Sequence, residues 1–158
     1  MAADVPKLLM TPELDRLARW LRLLGCDVAV YRGKPLAIYP EAYREDRVVV
    51  TRNRRIPSSP LVTVIQLEPQ ALEAQLQALE RKLKLRWSQT AFFSRCGICN
   101  AVLKDIPKAD VAGRVPDYVF KTQERFTTCP TCHRIYWAAT HWDRARQFVA
   151  AAGLQAEM

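Results

Sequence analysis

Cys96-Gly-Ile-Cys99 and Cys129-Pro-Thr-Cys132 carry the clearest chemistry in this chain. Two Cys-x-x-Cys pairs about thirty residues apart have the spacing of a four-thiolate zinc site. The two-residue gap lets both sulfurs of a tight turn face one ion, and zinc takes four thiolates tetrahedrally. Such a site has no open coordination position, so its expected role is structural. His133 follows the second pair directly, but four cysteines already complete the site. The fifth cysteine, Cys26, lies in an apolar stretch and reads as a small buried hydrophobe. A disulfide or redox pair is the alternative for the four, and a reducing cytoplasm disfavours it.

The second chemical signal is charge. The 158 residues carry 24 Lys and Arg against 16 Asp and Glu, a net +8 with pI near 9.5. The cations cluster as Arg16, Arg19 and Arg22, then Arg52, Arg54 and Arg55, then Arg81, Lys82, Lys84 and Arg86. A basic excess gathered in clusters points to a polyanionic partner, most simply RNA or a ribonucleoprotein. No apolar run is long enough to cross a membrane. The N-terminus lacks the basic start and apolar stretch of a signal peptide, so the expected location is cytoplasmic.

The elements that must position these residues alternate. Lys7–Met10 reads as a strand, and Thr11-Pro12-Glu13 as a helix start with Thr as cap and Pro at the first position. Leu14, Leu17, Ala18, Leu21 and Leu24 continue it at helical spacing to Gly25, with Arg16, Arg19 and Arg22 on the other side. Val28–Tyr31, Arg47–Thr51 and Leu61–Ile65 read as further strands, and 35–46 and 69–85 as helices. Strands alternating with helices predict an α/β domain, a parallel sheet flanked by helices, over 1–90. Residues 91–158 read as an appended zinc ribbon plus a closing helix from His141 to Ala152. Tyr118–Phe120 and Arg134–Trp137 are expected to be extended.

Three segments together resemble the mut-seven C-terminal RNase domain family, a PIN-like nuclease fold with a zinc ribbon. They are Leu14-Asp-Arg-Leu-Ala-Arg-Trp-Leu-Arg-Leu-Leu-Gly-Cys-Asp27, Arg47-Val-Val-Val-Thr-Arg-Asn53, and the block from Cys96 to Thr140-His141-Trp142. The resemblance implies a metal-dependent RNase whose acids gather at the carboxyl ends of parallel strands. There Mg²⁺ or Mn²⁺, hard cations that prefer carboxylate oxygens, would activate water at a phosphate.

The chain departs from that pattern where it matters. The aspartate the family places nine residues before Trp20 is Thr11, and the one after the third strand is Asn53. A further acid early in the second helix aligns near Lys34 or Pro35. Glu13 and Asp15 could substitute as ligands, or could only offset the helix dipole and pair with arginines. His141 matches the family and could contact a phosphate or pack the ribbon on the sheet. Trp137 or Trp142 could stack a base, although aromatics more often pack in cores. The expected function is RNA binding with weakened or lost cleavage, Mg or Mn being needed only if cleavage persists. The alternatives are an active endoribonuclease using Glu13, and a zinc-ribbon module that docks a protein.

Overall fold

A computed structural model describes residues 5–137, 139–154 and 156–157, with only the backbone of 139–142 and 156–157. Four short strands form a parallel sheet in the order β2-β1-β3-β4: β1 Leu8–Met10, β2 Val28–Val30, β3 Val48–Thr51 and β4 Val64–Gln66. Leu8, Leu9, Met10, Val49 and Val50 have no solvent exposure, as a continuous apolar run with helices on both sheet faces requires. Strand β4 begins three residues later than its apolar run suggests. Ser59 and Val62 close a turn there, and Leu61 stays 73% exposed.

Pro12–Leu14 form a single 3₁₀ turn before α1, Asp15–Leu23. Helix α1 buries Leu17, Ala18 and Leu21 on the sheet. Gly25 follows its end with φ +100°, and a Cβ there would lie 2.7 Å from Ala91 O, so only glycine fits. Helix α2, Ile38–Glu45, accommodates Pro40 in its first turn, where no intrahelical N–H is needed. Helix α3, Leu72–Leu83, packs Leu72, Leu76 and Leu79 inward.

After β5, Trp87–Ser88, the chain builds an antiparallel sheet in the order β6-β7-β8: β6 Lys104–Ile106, β7 Phe126–Thr128 and β8 Ile135–Trp137. Its small core holds Val111, Val115, Val119 and Phe126. Tyr118–Phe120 is not extended but lies in α4, Asp117–Thr122. The Pro116-Asp117 start outweighs the β-propensity of Tyr-Val-Phe: the helix buries Val119 and leaves Tyr118 70% exposed.

Helix α5, Ala139–Ala151, returns to the first sheet's core, where Ala145, Val149 and Ala152 join Leu17 and Leu21. The Phe148 ring stacks on Trp20 at 4.2 Å between centroids. Strand β9, Ala156–Glu157, pairs in parallel with β5. No helix among the described residues is long and apolar enough to cross a membrane.

Candidate metal centre and strand-end site

The four sulfurs of Cys96, Cys99, Cys129 and Cys132 lie within 4.8 Å of one another. Cys96 Sγ and Cys132 Sγ are 3.7 Å apart. A tetrahedron of Zn–S bonds has edges of about 3.8 Å, and a disulfide would bring two sulfurs to about 2 Å. All four cysteines are free of disulfides. The cluster can therefore hold a metal such as zinc.

The two cysteine turns repeat one hydrogen-bond pattern. Cys96 N–H donates to Ala101 O and Cys129 N–H to Arg134 O, both at 2.9 Å. Asn100 N–H returns to Cys96 O and His133 N–H to Cys129 O, again at 2.9 Å. Cys99 N–H and Cys132 N–H each point at the first sulfur of their own pair at 3.4 Å. The residue after each pair, Asn100 or His133, has φ near +65°. Asn and His tolerate that left-handed conformation better than most side chains. His133 thus closes the second turn.

Burial raises the Cys96 thiol, but the Tyr136 hydroxyl at 3.0 Å and backbone N–H groups outweigh it and bring the pKa to about 7. Burial and the neighbouring sulfurs push Cys99 up to about 12. A dication between the four sulfurs would favour their thiolate forms.

Asn100 also ties the first turn to the sheet. Its amide donates to Asp27 Oδ1 at 2.7 Å and accepts from Val28 N–H at 3.0 Å. Asp27 pairs with Arg47 at 2.8 Å, whose side chain is only 9% exposed. Burial alone would raise the Asp27 carboxyl. The hydrogen bonds from Asn100 and Arg47, with the charges of Arg47 and Arg95, overcome it and hold the pKa below its ordinary value. Arg22 makes a second tie, donating to Gly97 O and Ile98 O at 3.1 Å and to Val28 O at 2.8 Å. Asn100 and Arg47 carried no obvious signal for this role, because each partner is distant in sequence.

The second site lies where β1 and β3 end. Thr11 is 5% exposed and Thr51 fully buried, with their hydroxyls 2.7 Å apart. Thr11 Oγ1 donates to Glu13 Oε1 at 2.5 Å. Thr51 Oγ1 also donates to Glu13 Oε1 at 3.3 Å, so its proton lies between the Thr11 oxygen and the carboxylate. Asn53 N–H donates to Thr51 Oγ1 at 3.0 Å and completes a chain ending on Glu13. Arg52 N–H reaches the same Oε1 at 2.9 Å. Burial pulls the Glu13 pKa up, but the Thr11, Arg52 and Thr51 bonds prevail and lower it. Thr11 makes no side-chain cap bond. The Asn53 amide oxygen turns back to Arg55 N–H at 3.0 Å, and Gln66 at the end of β4 holds Asn53 O at 2.9 Å.

Asp15 sits apart, half exposed and paired with Arg32 at 2.9 Å. Glu45 pairs with Arg47 at 3.4 Å, and with Asp46 it precedes β3, at the opposite end of the strand from Asn53. Lys34 caps the 3₁₀ turn Pro35–Ala37 and brings no acid. Among the described residues the cysteines form the one cluster of three or more metal-ligating side chains.

Arg16 and Arg19 are exposed along α1, as are Arg54 and Arg55 beyond β3. Arg52 is half-buried, donating to Glu68 O at 3.3 Å with a buried Nε that lacks a hydrogen-bond partner. The side chains of His141 and Trp142 lie outside the described residues. A cavity of about 520 Å³ opens between α1 and the ribbon, lined in part by Arg19, Arg114, Arg134 and Trp137.

Neither curated proteins nor solved structures gave a match. Residues 6–149 match the Mut7-C RNAse domain, so the chain belongs to that family.

Proposed function

We propose that this RNase-domain protein binds RNA and has weakened or lost metal-dependent cleavage. The hydroxyl chain at the strand ends carries this reading. Thr11 and Asn53 stand where the family resemblance places carboxylates, and Thr11 with its neighbour Thr51 spends its hydrogen bonds on one carboxylate, Glu13. Mg²⁺ and Mn²⁺ draw their hold from several charged oxygens. A lone carboxylate already accepting from Thr11 and Arg52 is a poor donor set for either ion. The residues present therefore do not fit the two-metal centre of a nuclease.

An RNase domain implies an RNA substrate, and the basic surface supports contact with its phosphates. Arg52, Arg54 and Arg55 leave the end of β3 beside Glu13, and Arg16 and Arg19 continue along α1. Such contacts release counterions and make affinity fall with salt. Four thiolates from Cys96, Cys99, Cys129 and Cys132 would hold a structural zinc.

Zinc-loaded protein incubated with single-stranded RNA and Mg²⁺ or Mn²⁺ tests the reading. Salt-sensitive binding without cleavage is the expected result. Divalent-dependent cleavage that Glu13→Gln abolishes would overturn it. That outcome would favour an active endoribonuclease built on Glu13, a second reading supported by the lowered pKa of this carboxylate at the strand ends.

A further inference from the structure

The cavity between α1 and the ribbon does not belong to either site above. It has about 520 Å³ of space, within the range of a small-ligand pocket. One wall is α1, near Arg19 and Leu23. The other is β8, an edge strand of the ribbon sheet. Arg19, Arg114 and Arg134 line it, all exposed, and its described lining contains no Asp or Glu. Three guanidinium groups facing one hollow without an acid repel one another unless an anion enters.

The same hollow is aromatic. Phe93, Tyr136 and Trp137 line it, each half-buried. The Tyr136 hydroxyl is held 3.0 Å from Cys96 Sγ, so its ring is fixed from behind by the cysteine cluster. Phe93 has φ +60°, a conformation rarely adopted by a bulky side chain. A 2.7 Å bond from its N–H to Leu23 O holds the backbone there. The Phe93 ring packs against the core of the first sheet and Trp137 against the ribbon core, so both line the hollow from fixed positions.

We propose that this cleft is a single-stranded RNA site. The base of a nucleotide lies against Phe93, Tyr136 and Trp137, while Arg19, Arg114 and Arg134 meet the adjoining phosphates. Aromatic faces with an electrostatic groove are the common requirement of single-strand binding, and guanidinium groups also stack on bases. Arg19 stands roughly 10 Å along the helix from Glu13. A strand following Arg16 and Arg19 would therefore run from the strand-end site into the cleft. This deepens the RNA-binding reading and rests on it.

The test uses the zinc-loaded full chain and a 4-thiouridine-substituted oligouridylate. Crosslinks are mapped, and affinity is measured for the wild type and for a triple R19E/R114E/R134E variant with folding checked by circular dichroism. Crosslinks at Phe93, Tyr136 or Trp137 are expected. The variant should lose about tenfold or more in affinity, and its salt slope should fall by about 2. Crosslinks confined to Arg52–Arg55, with affinity unchanged in the variant, would overturn the cleft site and leave RNA binding intact. No RNA binding by the wild type would overturn both. Binding of polyglutamate but not oligouridylate would make β8 a peptide-docking edge and overturn the proposal. The wild-type crosslink map decides even if the triple variant misfolds.

Discussion

The cysteine cluster and the strand-end site are both places where polar groups converge, yet they resolve their electrostatics in opposite ways. At the cluster, four sulfurs share one small volume, and Cys96 and Cys99 are pulled in opposite directions by their surroundings. That arrangement is frustrated until a dication enters. At the strand ends, two buried threonines and one glutamate close a hydrogen-bond chain in which each donor has an acceptor. That arrangement is satisfied with no cation. Family membership alone would have suggested metal at both places. Residue chemistry separates them, because a hydroxyl can replace a carboxylate's hydrogen bond but not its charge.

Removing the ion's ligands should produce the largest effect. Cys96→Ser or Cys129→Ser is expected to unfold the ribbon and release zinc, since structural zinc is worth on the order of 10 kcal/mol. Because Asn100 and Arg22 bind the first turn to the sheet, the loss should also lower the melting temperature of the α/β part. Soluble protein of unchanged melting temperature would erase the contrast between the two sites.

A smaller effect is expected at the joint. Asp27→Ala leaves the buried Arg47 guanidinium only the Glu45 carboxylate at 3.4 Å and the Leu8 carbonyl, and should cost about 1–3 kcal/mol, read by denaturant unfolding. The wild-type carboxyl titrates below its ordinary value when folded. Its stabilisation is therefore complete above the unfolded pKa near 4 and is lost as pH falls through the folded value. The Asp27→Ala protein should lack that part of the acid transition.

Recharging the strand ends should create there the demand for a cation that the threonines remove. Thr11→Asp with Asn53→Asp sets new carboxylates near Glu13 and should destabilise the metal-free protein by about 1–3 kcal/mol through like-charge repulsion. Millimolar Mn²⁺ should restore the loss in the double variant and leave the wild type unchanged. Arg54→Ala with Arg55→Ala should barely alter stability, since both are exposed, but should reduce the salt slope of RNA binding by about 1.4.

The contrast was legible in the sequence to different depths. The zinc ligands stand three apart within each turn, so local spacing displays them. Thr11 and Asn53 were visible as neutral residues at motif positions, but the partner that organises them, Thr51, comes from β3 and meets Thr11 only in the folded sheet. Glu13 looked like an ordinary first-turn acid, since its bond to Arg52 N–H spans 39 residues. Arg22 read as one of a basic stripe, whereas its guanidinium is engaged by the carbonyls of the first cysteine turn. Arg114 and Arg134 gave no signal singly, because only the placement of β8 against α1 brings them together with Arg19. The parallel sheet was readable from its apolar runs, while α4 was misread because its start signal lies in Pro116-Asp117 and not in the aromatic residues that follow.

On the proposed reading the cysteine cluster holds a metal ion and the strand ends hold none. Manganese titration of the zinc-loaded wild type, followed by the loss of the free-ion electron paramagnetic resonance signal, tests it most directly. One tightly held zinc per chain is expected, with no depletion of Mn²⁺ at equimolar protein and with depletion appearing in the Thr11→Asp/Asn53→Asp variant. Stoichiometric Mn²⁺ binding by the wild type that Glu13→Gln abolishes would contradict it.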